Sequence, residues 1–458
     1  MLRSFFPILA MMCALTLAVG SCSTQNGPQG KPPLPTEAVR TATMNITPGI
    51  EVIARLALPD GFVPAPEYPP MWLQAGQEVA IVGTRNGHTA VLGYGGVGYR
   101  GARVIAEDGG IGALNGKIVD LAPSPDGMTL ALAVMDPQEK RLDVVTRDVI
   151  SAGAANPVSS FDGEFDSASI GWLGGFTISL ALRAHVAVEE SGKQPDGAPA
   201  STRAAEPGAS SGLYVISIGG VVTTGYLKLD CKMSQLSWSP DGIVAVGSGD
   251  ADAPPIIIDR AKESCQRINA KVPLRVIDWA HDSKSFLYQE TNPSIGTGIY
   301  RYDLANGAVR LVAISSGAAA FVGNDQVLAL GNGALTFRGA QYAPDGPIRA
   351  EVALSNPSGS DTDVESLGFN VTPATLATST MVYTRMTDTA AIATFSPTGQ
   401  GPMRKIVIYS VAPKRAFLVA FGAARGVVAT SWSPRGHYLA IADGDATGAA
   451  LTIISPPR

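Results

Sequence analysis

Short apolar runs of four to eight residues, broken by Gly, Pro, Asn and Asp, recur along the whole chain, and no stretch holds a helical period. One pattern repeats: a large residue, then a Ser-Pro-Asp-Gly-like turn, then an apolar strand. Trp238-Ser239-Pro240-Asp241-Gly242 precedes Ile243–Val246, and Trp279-Ala280-His281-Asp282-Ser283 follows 41 residues later, ahead of Phe286-Leu287-Tyr288. Pro123-Ser124-Pro125-Asp126-Gly127 and Trp432-Ser433-Pro434-Arg435-Gly436 carry the same signal. Proline suits the second position of a type I turn and glycine supplies the left-handed residue that returns the chain, so each copy predicts a hairpin. Weaker copies at Trp72, Trp172, Phe321 and Phe369 complete a series with steps of 41 to 66 residues. Each step has room for four strands. Outer hairpins are marked by pairs such as 298–304 and 309–312 around Asn306-Gly307.

Four-stranded units at this spacing predict an all-β chain folded as a single β-propeller over 50–458, with eight blades and seven as the alternative because 340–400 is irregular. After Trp432 only 26 residues remain, too few for a full blade, whereas 51–56 reads as a spare strand before the first. Placed outermost on the last blade, that strand would close the ring and cover an exposed edge.

Ahead of the repeats, Arg3 and an apolar run of 15 residues from Phe5 to Val19 make residues 1–21 a secretory signal, too short for a membrane-spanning helix of about 20 residues. Its ending, Val19-Gly20-Ser21-Cys22, resembles the lipobox of bacterial lipoproteins. The resemblance implies cleavage between Ser21 and Cys22 and a diacylglyceryl thioether on Cys22, placing the protein in the cell envelope and on a membrane through its lipid alone. Residues 22–49, rich in Pro and Gly, read as a flexible tether. The folded part then keeps Cys231 and Cys265. An exported chain favours a disulfide between them. The repeat register opposes it, setting Cys231 on an inter-blade link and Cys265 at the start of an outer strand on the other face, about 20 Å away. The two arguments stand opposed.

Composition removes other classes. The chain of 458 residues has 51 Gly and 33 Pro with 16% charged residues, which excludes a coiled coil, while 45% apolar content excludes a disordered chain. A net charge of −5 argues against nucleic acid. Taken with the Trp-Ser-Pro-Asp-Gly copies, the chain resembles the TolB-type, WD-like propeller repeats over roughly 70–456. It departs from TolB in lacking an N-terminal α/β domain and in its lipobox-like leader, so the resemblance does not carry over TolB's partner, the peptidoglycan-associated lipoprotein. Lipoproteins of the LpqB type carry such a propeller behind a further domain for which this chain has no room.

Motifs with catalytic associations dissolve on context. Gly208-Ala209-Ser210-Ser211-Gly212 fits a nucleophile elbow but sits in an Ala/Ser/Pro stretch with a strand after it. Gly93-Tyr94-Gly95-Gly96-Val97-Gly98 fits a dinucleotide fingerprint without a following helix and reads as a bent outer strand. Asp443-Gly444-Asp445 opens like a calcium loop, yet its twelfth position is Ile454. His88, His185, His281 and His437 lack metal-ligand spacing. No catalytic set, cofactor or metal is expected.

The expectation is therefore a lipid-anchored binding or scaffolding propeller facing an envelope protein or other envelope ligand. An envelope hydrolase or lyase with a site spread over blade loops, and a sensory accessory lipoprotein, are the alternatives. Antiparallel blades put second-to-third hairpins and blade links on one face, which also receives the insertion at 189–211. Variable loops on a rigid scaffold carry function, so Arg85, His88, Asp250, Asp252, Glu290, Asp443 and Asp445 are the candidate binding residues on that face.

Overall fold

The structure, a computed structural model, describes residues 44–457 except 47–48, 100, 109–113, 152–153, 186–210, 219–223, 228–234, 249–254, 269–273, 293–295, 315–317, 323–325, 332–333, 340–349, 353, 356–360, 363–379, 396–402, 411–414, 422–425 and 446–447. The signal, Ser21, Cys22, Cys231, Asp250 and Asp252 lie outside the described residues. Among the described residues the regular elements are strands apart from two 3-10 turns, Gln74–Gly76 and Val97–Tyr99. No helix among them is long and apolar enough to cross a membrane.

The strands form six four-stranded sheets, two five-stranded sheets and one two-stranded ribbon. In chain order the larger sheets span 62–107, 117–162, 165–227, 235–267, 274–314, 319–352, 380–421 and 426–455, and are called the first to the eighth here. They belong to an all-β propeller in which seven blades are established, the smaller of the two expected numbers. Within each sheet successive strands pair antiparallel. Second-to-third hairpins and sheet-to-sheet links consequently share one face, the loop face, and the Ser-Pro-Asp-Gly turns occupy the opposite turn face.

Two N-terminal strands join late sheets. Glu51–Ala57 pairs with Gly448–Ser455, from Glu51 opposite Ser455 to Ala57 opposite Ala450. Met44–Ile46 pairs with Arg415–Phe421 of the seventh sheet, so a strand lies inside the stretch read as tether. The position read at Phe369 is outside the described residues, and the inner strand of the seventh sheet falls later, at Thr380–Thr384. That strand has neither a tryptophan nor a proline turn, which is why the repeat pattern missed it.

Apolar side chains lie between sheets, on both faces of each. Among the described residues seven buried clusters each join two consecutive sheets, and an eighth brings Val79, Ile81, Ala90 and Leu92 of the first together with Ala440, Ala442, Leu451 and Ile453 of the eighth. Burial of each Val, Leu or Ile among them contributes roughly 1.5–3 kcal/mol.

Directional bonds fix how the sheets meet. A large indole in such a contact brings one N–H that must find an acceptor. Trp172 Nε1 donates to Ala122 O (3.0 Å), Trp238 Nε1 to Ser179 Oγ (2.9 Å), Trp279 Nε1 to Ser237 Oγ (3.0 Å) and Trp432 Nε1 to Val382 O (3.0 Å), each acceptor lying one sheet earlier. Trp72 Nε1 donates to Ser431 O of the eighth sheet (3.2 Å). Carboxylates clasp in the other direction: Asp120 accepts the Ile170 N–H (2.8 Å) and Asp278 the Phe321 N–H (2.7 Å), each from the next sheet. Burial pushes both carboxyls above the usual range, while those N–H donors pull the other way.

The repeated turn is closed by its own side chains. Ser239 Oγ donates to Asp241 Oδ1 (2.6 Å) and accepts the Val244 N–H (3.0 Å), with Gly242 at φ +67°. Ser124 and Asp126 repeat the arrangement.

Trp238→Phe keeps the apolar contact and removes the indole donor. Its expected cost is about 1 kcal/mol in denaturant unfolding, as for Ser179→Ala, and the double variant should cost less than the two together because they share one hydrogen bond.

Candidate functional site

Arg85 ends Glu78–Arg85 and His88 begins His88–Gly95, joined by Asn86-Gly87 with φ +52° and +81°, the backbone that a two-residue hairpin requires. Both side chains reach the link that leaves the first sheet. Arg85 Nη2 lies 3.2 Å from Glu107 Oε1, and His88 Nδ1 lies 3.3 Å from Asp108 Oδ1. Asp108 is buried, and it accepts the N–H of Thr89 (2.8 Å) and of Ile118 (3.0 Å). One carboxylate thus ties the third strand of the first sheet to the inner strand of the second, and orients His88 at the surface.

Beside this pair a cavity of about 670 Å³ opens between the first two sheets, lined among others by His88, Asp108, Asn115, Lys117, Asp136 and Glu139. Gly116 forms its floor at φ +118°, where a Cβ would stand 2.5 Å from the Met135 carbonyl oxygen. Asp136 Oδ1 accepts the N–H groups of Gln138 (2.9 Å) and Glu139 (3.1 Å), holding the 137–140 hairpin. Ion pairs continue across the face: Arg141 Nε to Asp143 (2.9 Å), Lys140 to Glu164 (2.8 Å) and His185 Nδ1 to Asp166 (2.7 Å). The hydrogen bond to Asp166 raises the pKa of His185 above its ordinary value. The loop face of the first three sheets is therefore a belt of matched charges held by backbone hydrogen bonds, a surface suited to polar recognition. Among the described residues no group of three or more His, Cys, Asp or Glu is arranged to hold a metal.

Of the expected binding residues, Arg85 and His88 come together here. Glu290 does not sit in a loop: it is buried within Ser285–Asn292. Asp443 is fully buried within Leu439–Asp445, accepting from Thr452 Oγ1 (3.2 Å) with Arg55 Nη2 at 3.8 Å. The strands run farther than their polar ends suggested, because an acidic residue with an internal partner can stay inside a sheet. Asp445 ends that strand opposite Gly448, not in a calcium loop.

Cys265 lies in Ser264–Arg267, the outer strand expected, and is disulfide-bonded. Its pairing with Cys231 falls outside the described residues. Ser211 Oγ accepts the Ala184 N–H (2.9 Å) and Gly212–Ser217 follows as a strand, as expected; Gly208 to Ser210 lie outside the described residues.

The fingerprint-like glycines belong to His88–Gly95, a third strand instead of the outer one expected, and to the turn after it. Gly93 has a steric role, since a Cβ there would stand 2.0 Å from Glu78 Oε1, while Gly96 supplies positive φ in the turn. Neither Glu78 nor Asp108 was legible, since each acts through a partner distant in sequence. Compared with known proteins, the chain matches no family model and no curated sequence.

Asp108→Ala should strand the Thr89 and Ile118 N–H groups. We expect a loss of about 2–4 kcal/mol in chemical denaturation, with Asp108→Asn losing less because its amide oxygen still accepts.

Proposed function

We propose that the protein is a lipid-anchored binding scaffold of the bacterial cell envelope, attached at Cys22 and engaging an envelope partner through the loop face. The observation that carries this reading is Val19-Gly20-Ser21-Cys22 at the end of a 15-residue apolar run, ahead of a proline-rich tether and a propeller. The matched charges around Arg85, His88 and Asp108 support a polar partner surface, since paired charges confer orientation and specificity more than raw affinity. In this reading the repeats resemble TolB in architecture without sharing its partner.

Mass spectrometry of the mature N-terminus should find an acylated cysteine, and Cys22→Ala should shift the protein from the membrane to the soluble fraction. An unmodified N-terminus elsewhere would remove the anchor from the reading. Crosslinked capture from envelopes should then lose its partner on Arg85→Glu with an unchanged melting temperature; an unchanged capture would exclude this part of the face.

The same reading takes the ring to hold eight blades, closed where 51–57 lies on the last sheet. In its support, the eight inter-sheet clusters run consecutively and return from the eighth sheet to the first, and Trp72 stacks on Tyr438 with centroids 6.5 Å apart. Deleting 44–57 should expose the Gly448–Ser455 edge and drive aggregation, measured by light scattering, whereas deleting 23–43 should leave the melting temperature unchanged. Equal behaviour of the two truncations would count against closure.

A further inference from the structure

The first sheet departs from the repeat on its turn face. Where the second, fourth and eighth sheets carry Ser-Pro-Asp-Gly or Ser-Pro-Arg-Gly, it carries Gln74-Ala75-Gly76-Gln77, with φ of +49°, +54° and +93° at the first three. Tyr99, on the neighbouring turn, is also left-handed at φ +58°, and its hydroxyl donates to Gly76 O (2.9 Å). Non-glycine residues in that region are held there only when the surroundings over-determine them. Between the two turns lies a cavity of about 770 Å³.

The head of the cavity is a row of planar polar groups. Arg103 donates through Nε to Glu78 Oε1 (2.9 Å) and through Nη2 to Glu78 Oε2 (2.6 Å), and Gln74 Nε2 donates to the same Oε2 (2.8 Å). Glu78 is 4% exposed and Arg103 29%, and Arg103 Nη1, at the edge of this pair, is buried without a hydrogen-bond partner. Gly93 makes room for that carboxylate, since a Cβ there would stand 2.0 Å from Glu78 Oε1.

We propose that this cavity binds a neutral saccharide. The bidentate pair cancels its own charge, so neither a free anion nor a free cation finds an uncompensated partner. What remains is hydrogen-bonding capacity of both kinds: the Gln74 carbonyl oxygen accepts, and its amide and the Arg103 guanidinium hold further N–H donors. A sugar hydroxyl both donates and accepts, and matches such a mixed edge. Gly76, Gly95, Gly96 and Gly101 line the walls without side chains, which lets a sugar ring approach the backbone closely. The site is independent of the lipid anchor and lies on the face opposite Arg85 and His88.

The test is isothermal titration calorimetry of the purified full chain with maltotriose, cellotriose, mannotriose and chitotriose, alongside citrate and tetraglycine. At least one saccharide should bind with Kd below about 1 mM. Gln74→Leu keeps the shape and the Glu78–Arg103 pair and should weaken that binding about tenfold or more, a loss of about 1.4 kcal/mol. Gln77→Trp, at an exposed position that lines the cavity, should fill its mouth and abolish binding, and Lys284→Ala, on the same face at the fifth sheet, should leave it unchanged. Melting temperatures should agree among these variants, and a variant that fails this check is replaced by Gln74→Ala. No heat from any saccharide, undiminished binding to Gln77→Trp, or binding of citrate or tetraglycine in place of sugar would overturn the proposal.

Discussion

Every large sheet here has two apolar faces, and only its neighbours can cover them. A single sheet would leave both faces in water, and stacking two sheets would still expose both outer faces. A succession in which each sheet is sandwiched satisfies the constraint, and the consecutive clusters, from Leu73 against Leu121 to Ala391 against Leu439, are its expression. Hydrophobic contact is non-directional. The indole N–H bonds of Trp172, Trp238, Trp279 and Trp432 and the carboxylate clasps of Asp120 and Asp278 supply direction, fixing the third, fourth, fifth, sixth and eighth sheets each on the one before it.

Repetition fulfils that packing requirement, and departures from repetition are where other tasks enter. The first sheet departs at both ends. On the loop face it sends Arg85 and His88 to the acidic link at Glu107 and Asp108. On the turn face it exchanges the Ser/Asp-closed turn for left-handed backbone around Glu78 and Arg103. Neither change disturbs the apolar middle of the sheet, where Val79, Ala80, Ile81 and Val82 stay buried. A rigid centre leaves the ends free to vary.

Charge is used in two ways. Exposed pairs such as Lys140 with Glu164 lie in water, where each contributes little to stability and instead patterns the surface. Buried acids serve within the fold: Asp443 meets Arg55 and Thr452 at the junction of the N-terminal and final strands, and Asp108 gathers two backbone N–H groups. A polar residue near a strand end is compatible with either role. Its sequence neighbours do not distinguish them.

The strands, their turns and their order were legible because each depends on neighbours in the chain: alternation sets the strand, Ser-Pro-Asp-Gly sets the return, and the spacing of the tryptophans sets the unit. The pairing of 51–57 with the last sheet was legible for the same reason, as a spare strand matched to a missing one. The short strand Met44–Ile46 and the inner strand Thr380–Thr384 were not, since they carry no turn signature and exist through the strands they meet. Glu290 and Asp443 looked like loop acids until their surroundings made them buried strand residues. The tertiary structure alone brought Asp108 to His88, and Arg103 and Gln74 to Glu78, because a hydrogen bond or ion pair forms between side chains that adjacent strands and turns carry into contact, and sequence separation holds no record of that meeting.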